Sequence, residues 1–351
     1  MPALPNVHVI GANVDGLTTA VLLLQQGYRV TLVANAFPGD KDYQPGWFNT
    51  HWQTSATASD TITQPEDDLT SFRMLWKLAQ VKAKEAGLTI ISAEHIDESN
   101  PPDHHHFSGP WWKNAVPSFH WMPKHHLPED VQQAYNYTTV LIRPARYLVW
   151  LQAQFLTLGG RRKRVTLDKL MDVAKENDQL MMVVNCCPNL DPPFSKTQPS
   201  DEMVQQWTIR ASQIRKALHI KRQNQDLYLT PQMNGTVLVG AKGSASFATV
   251  HDLLHQLKRY CPELSWGKGV SDKDVVSAQP DVTPTQHRCS RVENQYLVTP
   301  LGTKISVTHN YGHQGYQSSW GASKRVVQLV NDAYTHLQHE PKAITRLLSR
   351  L

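Results

Sequence analysis

Two stretches of this chain carry residue types at spacings that could do chemistry, and a third invites a metal. Gly11-Ala12-Asn13-Val14-Asp15-Gly16 follows a β-branched run and opens a helical one. A Gly-x-Gly-x-x-Gly turn in that place lets backbone N–H groups at a helix N-terminus meet a dinucleotide pyrophosphate. Gly11 and Gly16 keep the first and third glycines. Asn13 stands at the second, where a side chain takes space the phosphates need. Asp15 adds negative charge where a phosphate would sit. Asn35 occupies the place of the acid that holds a ribose hydroxyl, and it can hydrogen-bond only without charge assistance. The turn reads either as a dinucleotide site or as one that kept its packing glycines and lost its ligand. The second stretch, His309 to Gly321 (HNYGHQGYQSSWG), lies between a strand pattern and a helix pattern. Its glycines leave backbone N–H groups able to face a ligand. The third is His104-His105-His106, in a Pro-flanked irregular segment. Metal ligands come from a fixed scaffold with supporting partners, so this is read as a surface run.

These turns need elements to hold them. Val7, Val9 and Ile10 predict a buried parallel strand. Leu17, Ala20, Val21 and Leu24 recur at helical spacing, and Gly27 ends that helix. Val30, Leu32 and Val33 predict the second strand. Strand, turn, helix, strand is the opening of a dinucleotide-binding sheet. Residues 36 to 70 read as loop, with an aromatic-dense Trp47 to Trp52 inside it. Ser71 to Gly87 reads as a helix with Phe72, Leu75, Leu78, Ala79 and Val81 on one face. Leu88 to Ser92, Tyr137 to Ile142 and Met181 to Asn185 read as strands, and Arg146 to Leu158 as a helix closed by Gly159-Gly160. Asp226 to Pro231 and Thr236 to Gly240 form a hairpin around Asn234-Gly235. Val250 to Tyr260 is a helix and Ile305 to Thr308 a strand, with a last helix through Val326, Val327, Leu329 and Val330.

At 351 residues the chain suits two domains or one large one. No apolar run reaches the length of a membrane span, so no membrane is expected. A secretory leader is not expected either, because the first strand begins almost at once. The net charge of +5 is modest and its cations are scattered, so nucleic acid is not expected. The one basic run, Arg161 to Arg164, follows two glycines and reads as a solvated turn. Four cysteines in a chain of this size point to a reducing compartment, and no spacing suggests zinc. Ser349-Arg350-Leu351 is the peroxisomal Ser-Lys-Leu address with one basic residue exchanged for another. The expected location is the peroxisomal matrix, with an import receptor as partner.

The stretch from His309 to Gly321 closely resembles the C-terminal signature of the D-amino-acid oxidase family, its fungal members in particular. His309, Asn310, Tyr311, Gly312, Gly315, Tyr316, Trp320 and Gly321 all match. Tyr147-Leu148 and Trp150-Leu151 resemble the family's internal strand–helix unit. Val183-Val184-Asn185 resembles its Val-Val-Asn strand end, and Tyr228-Leu229-Thr230-Pro231 its Tyr-Ile-Ile-Pro. The resemblance runs in order over nearly the whole chain. It implies an α/β fold with a Rossmann-like FAD-binding domain and a mostly antiparallel sheet as substrate or cap domain. Residues 1–55, 137–190 and 285–340 would make the discontinuous FAD domain, 56–136 and 191–284 the substrate domain, and 341–351 a tail. The family reaction is oxidative deamination of a D-amino acid to a 2-oxo acid, ammonia and hydrogen peroxide, with FAD as the cofactor that carries the chemistry.

Carried onto this chain, the resemblance implies Tyr228, Arg288, Tyr316, Gln317 and Trp320 at the substrate. It implies Gly11, Asn13, Gly16, Asn35, His51, Trp52, Asn185, Gly312, Gly315, Tyr316 and Gln317 around FAD. Departures gather at the same places. The family's carboxylate-binding arginine aligns with Thr283, leaving Arg288 as the nearby substitute. The family's Arg-Gly-Gln at the flavin aligns with Arg210 to Gln213, and its second pocket tyrosine is missing after Gly240-Ala241-Lys242-Gly243. Asn13, Asn49 and Pro188 replace small residues that let backbone touch FAD. Two readings follow. One is an oxidase of a small D-amino acid or amine with altered specificity or weakened activity. The other is an inactive member without FAD that serves as a binding or structural protein. A homodimer is compatible with both.

Overall fold

The computed structural model describes residues 5–43, 50–54, 65–98, 109–129, 131, 133–174, 182–190, 198–232, 234–243, 247, 249–287, 291–299, 303–312 and 315–339. In chain order the elements begin β1 (Asn6–Ile10), α1 (Val14–Gln25), β2 (Arg29–Ala34), β3 (Thr50–His51), α2 (Pro65–Val81), α3 (Ala83–Ala86), β4 (Leu88–Asp97) and β5 (His120–Trp121). They continue β6 (Gln133–Ile142), α4 (Pro144–Thr157), β7 (Arg161–Arg164), β8 (Met182–Asn185), β9 (Gln198–Arg210), β10 (Lys216–Lys221), β11 (Gln225–Pro231) and β12 (Thr236–Gly243). The last are α5 (Val250–Leu257), β13 (Val275–His287), β14 (Arg291–Val298), β15 (Lys304–Tyr311) and α6 (Ser319–His339).

The β-branched N-terminal run becomes β1, the middle of a six-stranded sheet in the order β14-β15-β8-β1-β2-β7. All neighbours are parallel except β14, which runs against β15. Val7 and Val9 are fully buried, as a strand covered on both faces requires. On one face α1, α4 and α6 pack with Leu17, Leu148, Leu151, Phe155 and Val326; on the other Ile10, Val33, Leu170, Val173 and Val183 form a smaller cluster. The carboxyl ends of β1, β8 and β15 lie side by side, where an open α/β sheet places its ligand site.

The second sheet has nine strands, ordered β13-β9-β12-β11-β10-β4-β6-β3, with β5 paired beside β6. It is antiparallel except for β10 with β4. One face is closed by α5: Leu253, Leu254 and Leu257 pack on Ile209, Leu227, Leu229 and Val239. Strand alternation therefore turns Tyr228, His219 and their row mates to the opposite face.

The structure corrects several boundaries. Residues 137–142 belong to β6 and residues 50–51 to β3, so both lie in the nine-stranded sheet and not in the dinucleotide half. Sheet membership is decided by hydrogen-bond partners, which a strand's own composition does not name. Arg161 to Arg164 is an edge strand pairing with β2, not a turn; its charges blunt an edge that could otherwise recruit another chain. Val81, the last residue of α2, is exposed.

The crossing of α2 and α6 explains one signature glycine. A Cβ on Gly321 would lie 2.2 Å from the Asp67 Cα. Across the same contact, Arg325 reaches Asp67 at 2.6 Å, and the Gly321 N–H donates to Ser71 Oγ at 3.0 Å.

Candidate functional site

The β1–α1 turn keeps the Rossmann shape. Gly11 adopts φ +104°, and a Cβ on Gly16 would lie 1.9 Å from the Gly11 carbonyl oxygen. Asn13 is the N-cap of α1: its Oδ1 accepts from the Gly16 N–H at 2.9 Å. Its Nδ2 donates to the Cys186 carbonyl at 2.8 Å, just beyond β8. Tyr43 donates its hydroxyl to the Ala12 carbonyl at 2.8 Å. Asp15 is buried in the first turn of the helix. Burial, then the neighbouring Tyr43, Asp15 and Tyr147, push the Tyr316 hydroxyl well above its ordinary pKa, so it stays neutral.

As it stands, this donor set is only partly open to the pyrophosphate of FAD. One N–H of the helix terminus is taken by an internal side chain, a carboxylate is added beside it, and Tyr43 is bonded to the turn itself. The backbone path fits, since both packing glycines hold it. Asn35 follows β2 as an exposed residue whose carbonyl accepts from Arg164.

The signature turn is built into the core. Asn310 Nδ2 donates to Thr19 Oγ1, and Thr19 Oγ1 donates to Ser323 Oγ, both at 2.9 Å; this chain ties β15, α1 and α6. Asn185 is fully buried: its Oδ1 accepts from Cys187 N at 3.0 Å, and its Nδ2 lies 3.4 Å from His309 Nδ1. Gly312 and Gly315 take positive φ, which an L side chain rarely adopts. Tyr316 and Trp320 are buried in the main core cluster, and Trp320 Nε1 donates to the Tyr147 hydroxyl at 2.7 Å. The Gln317 carbonyl accepts from Trp52 Nε1 at 3.1 Å. Trp52 itself is fully buried against Phe72 and Trp112. Tyr316, Trp320 and Trp52 are thus packed into the core.

On the substrate sheet, one row crosses the strands. Gly240, Tyr228, His219, His95, Tyr135 and Trp121 are successive register partners on β12, β11, β10, β4, β6 and β5. Register partners share a face. The Tyr228 ring lies across Gly240, where a Cβ would come within 2.3 Å of it, and its hydroxyl donates to the Gln205 carbonyl at 3.4 Å. His219 and His95 continue the row toward Gln53 and His51 of the segment that carries Trp52. Sequence reading missed His95, His219 and Gln53. For His219 the available signal was a histidine between two apolar strand residues, Leu218 and Ile220, but the pairing that joins it to His95 and Gln53 is tertiary.

One aligned residue, Arg210, lies at a strand end away from the Tyr228 row. Arg210 ends β9, exposed, and lines a separate recess of about 420 Å³ with Ser212, Gln213, Asn234, Trp266 and Asp274. Thr283 lies on β13 opposite Val204. Arg288, the His104 to His106 run and Ser349 to Leu351 lie outside the described residues.

Comparison with known proteins agrees with this layout. The chain is similar to a D-amino-acid oxidase of Fusarium vanettenii, 26% identical over 93% of this chain and 96% of that one. It is also similar to a D-aspartate oxidase of Talaromyces thermophilus, 24% identical over 93% and 95%. Among solved structures, glycine oxidase from Bacillus cereus shares the fold with TM-score 0.65, covering 93% of this chain and 97% of that one at 14% identity. A family model described as "FAD dependent oxidoreductase" (DAO) matches residues 6–329, and the chain belongs to that family.

Proposed function

We propose that the chain is a D-amino-acid-oxidase-type oxidoreductase of a small amine or D-amino acid, with altered specificity and a weakened hold on FAD. The observation that carries this reading is the conjunction of an intact two-sheet frame with a remade substrate face. Tyr228 is kept at the sheet, Thr283 stands where the family's arginine would bind a carboxylate, and His219, His95 and Asp226 occupy the neighbouring positions. Loss of a bidentate arginine removes roughly 1.5–3 kcal/mol per charge-assisted bond, so ordinary D-amino acids are poor substrates. FAD entry requires Asn13 to give up two hydrogen bonds. At roughly 0.5–1.5 kcal/mol each, that weakens FAD by about 10–100-fold.

The test is the visible spectrum of the purified protein before and after excess FAD, followed by a peroxide screen over D-amino acids and amines. Uptake of FAD with flavin bands, and peroxide formed with an amine more readily than with D-alanine, supports the reading. A second reading, a flavin-free member that serves as a binding protein, is favoured by the Asn13 and Asp15 geometry. Colourless protein whose melting temperature ignores millimolar FAD selects it.

We further propose peroxisomal import through Ser349-Arg350-Leu351. A fluorescent fusion that ends on Ser349-Arg350-Leu351 should be punctate and co-localise with a matrix marker. Deleting the three residues should make it diffuse.

A further inference from the structure

Three side chains from distant parts of the chain converge on one point at the row described above. Gln53 Nε2 lies 3.2 Å from His95 Nδ1 and 3.1 Å from His219 Nδ1, and the two imidazole nitrogens are 3.1 Å apart. The triangle is close to equilateral. An amide donating to both rings satisfies it poorly, because its two N–H bonds diverge while the acceptors lie close together. With its Nε2–H held by Asp226, His219 Nδ1 is a lone pair approached at once by the Gln53 amide and by His95 Nδ1. Zinc–nitrogen distances of about 2.0–2.1 Å place neighbouring ligand atoms of a tetrahedron roughly 3.3–3.4 Å apart, within a few tenths of an ångström of these separations.

We propose that Gln53, His95 and His219 form an open three-ligand site for a divalent transition-metal ion, with Asp226 as its supporting carboxylate. Gln53 binds through its amide oxygen, since the oxygen and nitrogen of an amide exchange by a half-turn; its NH2 then meets His51 Nε2, now 3.3 Å from the amide oxygen. Asp226 Oδ2 accepts from His219 Nε2 at 3.1 Å, the carboxylate–histidine arrangement that fixes a ligand's tautomer. Neutral imidazole is the ligand form, and His95 is buried in this row. Lys221 near His95 and Lys242 near Asp226 oppose the ion, and Asp226 offsets them. His219 and Asp226 are partly exposed, so solvent reaches this end of the row. Among the described residues no three His, Cys, Asp or Glu side chains converge as ligands; the third corner here is an amide, and imidazole with a neutral oxygen suits zinc, copper or nickel.

The experiment is titration of full-length, chelator-treated protein with Zn²⁺ by calorimetry and with Co²⁺ by visible absorption. The background is a His104→Ala, His105→Ala, His106→Ala variant that removes the sequence-local histidine run. One equivalent bound with micromolar or tighter affinity is expected, with Co²⁺ bands of tetrahedral intensity. His219→Ala and His95→Ala should each weaken binding at least about 100-fold, and Asp226→Asn about 10–100-fold. Because Asp226 is partly exposed, that variant keeps the fold if His95→Ala does not. Binding that is absent up to millimolar metal, or unchanged in His219→Ala and Asp226→Asn, overturns the proposal. A histidine ¹⁵N spectrum in which the rings share a proton and ignore added Zn²⁺ does so too.

Discussion

The side chain of Asn13 bridges the first turn of α1 and the end of β8, giving its amide N–H to the Cys186 carbonyl at 2.8 Å while capping Gly16. One residue closes the dinucleotide turn from both sides, in the position where a glycine would leave it open.

Asn13→Gly should therefore tighten FAD binding by about 10–100-fold. Glycine is itself an acceptable N-cap, so the loss of stability stays near 1 kcal/mol and comes mainly from the Cys186 bond. Flavin fluorescence quenching on titration measures the first effect and urea melts the second. Equal FAD affinity in both proteins would show that Asn13 does not obstruct the turn.

Gly321→Ala should destabilise by at least about 2 kcal/mol, because its methyl meets backbone of Asp67 and helices α2 and α6 must separate. The change should appear in the denaturation midpoint irrespective of added FAD. A neutral substitution would place the role of this glycine elsewhere.

Trp320→Phe should cost about 1–3 kcal/mol, since it removes the bond to the fully buried Tyr147 hydroxyl. Substrate preference in a peroxide assay should not change. A shift in preference without a stability loss would return Trp320 to the substrate pocket.

Stability should fall as pH drops below the usual histidine range. His51 has its folded-state pKa lowered to about 4 by burial and then by the charge of His219, against 6.5 in the unfolded chain. The unfolded state therefore binds a proton first, and stability present above pH 6.5 is lost progressively down to pH 4. From His51 alone the loss by pH 5 is about 2 kcal/mol, and His95, shifted the same way, adds to it. Urea melts at pH 7 and pH 5 measure it; His51→Gln should flatten the difference.

Local signals were readable where one residue's neighbours in sequence decide its state. The run Val7 to Ile10, the helical spacing from Leu17 to Leu24 and the Asn234-Gly235 turn each became the element expected. So did β15 and α6 around the glycine-dotted turn. Roles were less readable than elements. Tyr316, Trp320 and Asn310 are signature residues, yet their side chains are engaged in packing and in the Thr19–Ser323 tie. A motif records that a residue type is needed at a place, and both a ligand and a core can need it.

The sequence by itself determined the βαβ opening, through periodicity and glycine positions, and the order of motifs whose resemblance to the family marks the departures at Asn13 and Thr283. Only the tertiary structure decided that β6 joins the nine-stranded sheet, that Arg210 lies at a separate recess and that Asn13 reaches Cys186. It also brought His95 and His219, 124 positions apart, to 3.1 Å. Strand partnership and register set those relations, and both arise from burial across the whole fold, not from any one segment's composition.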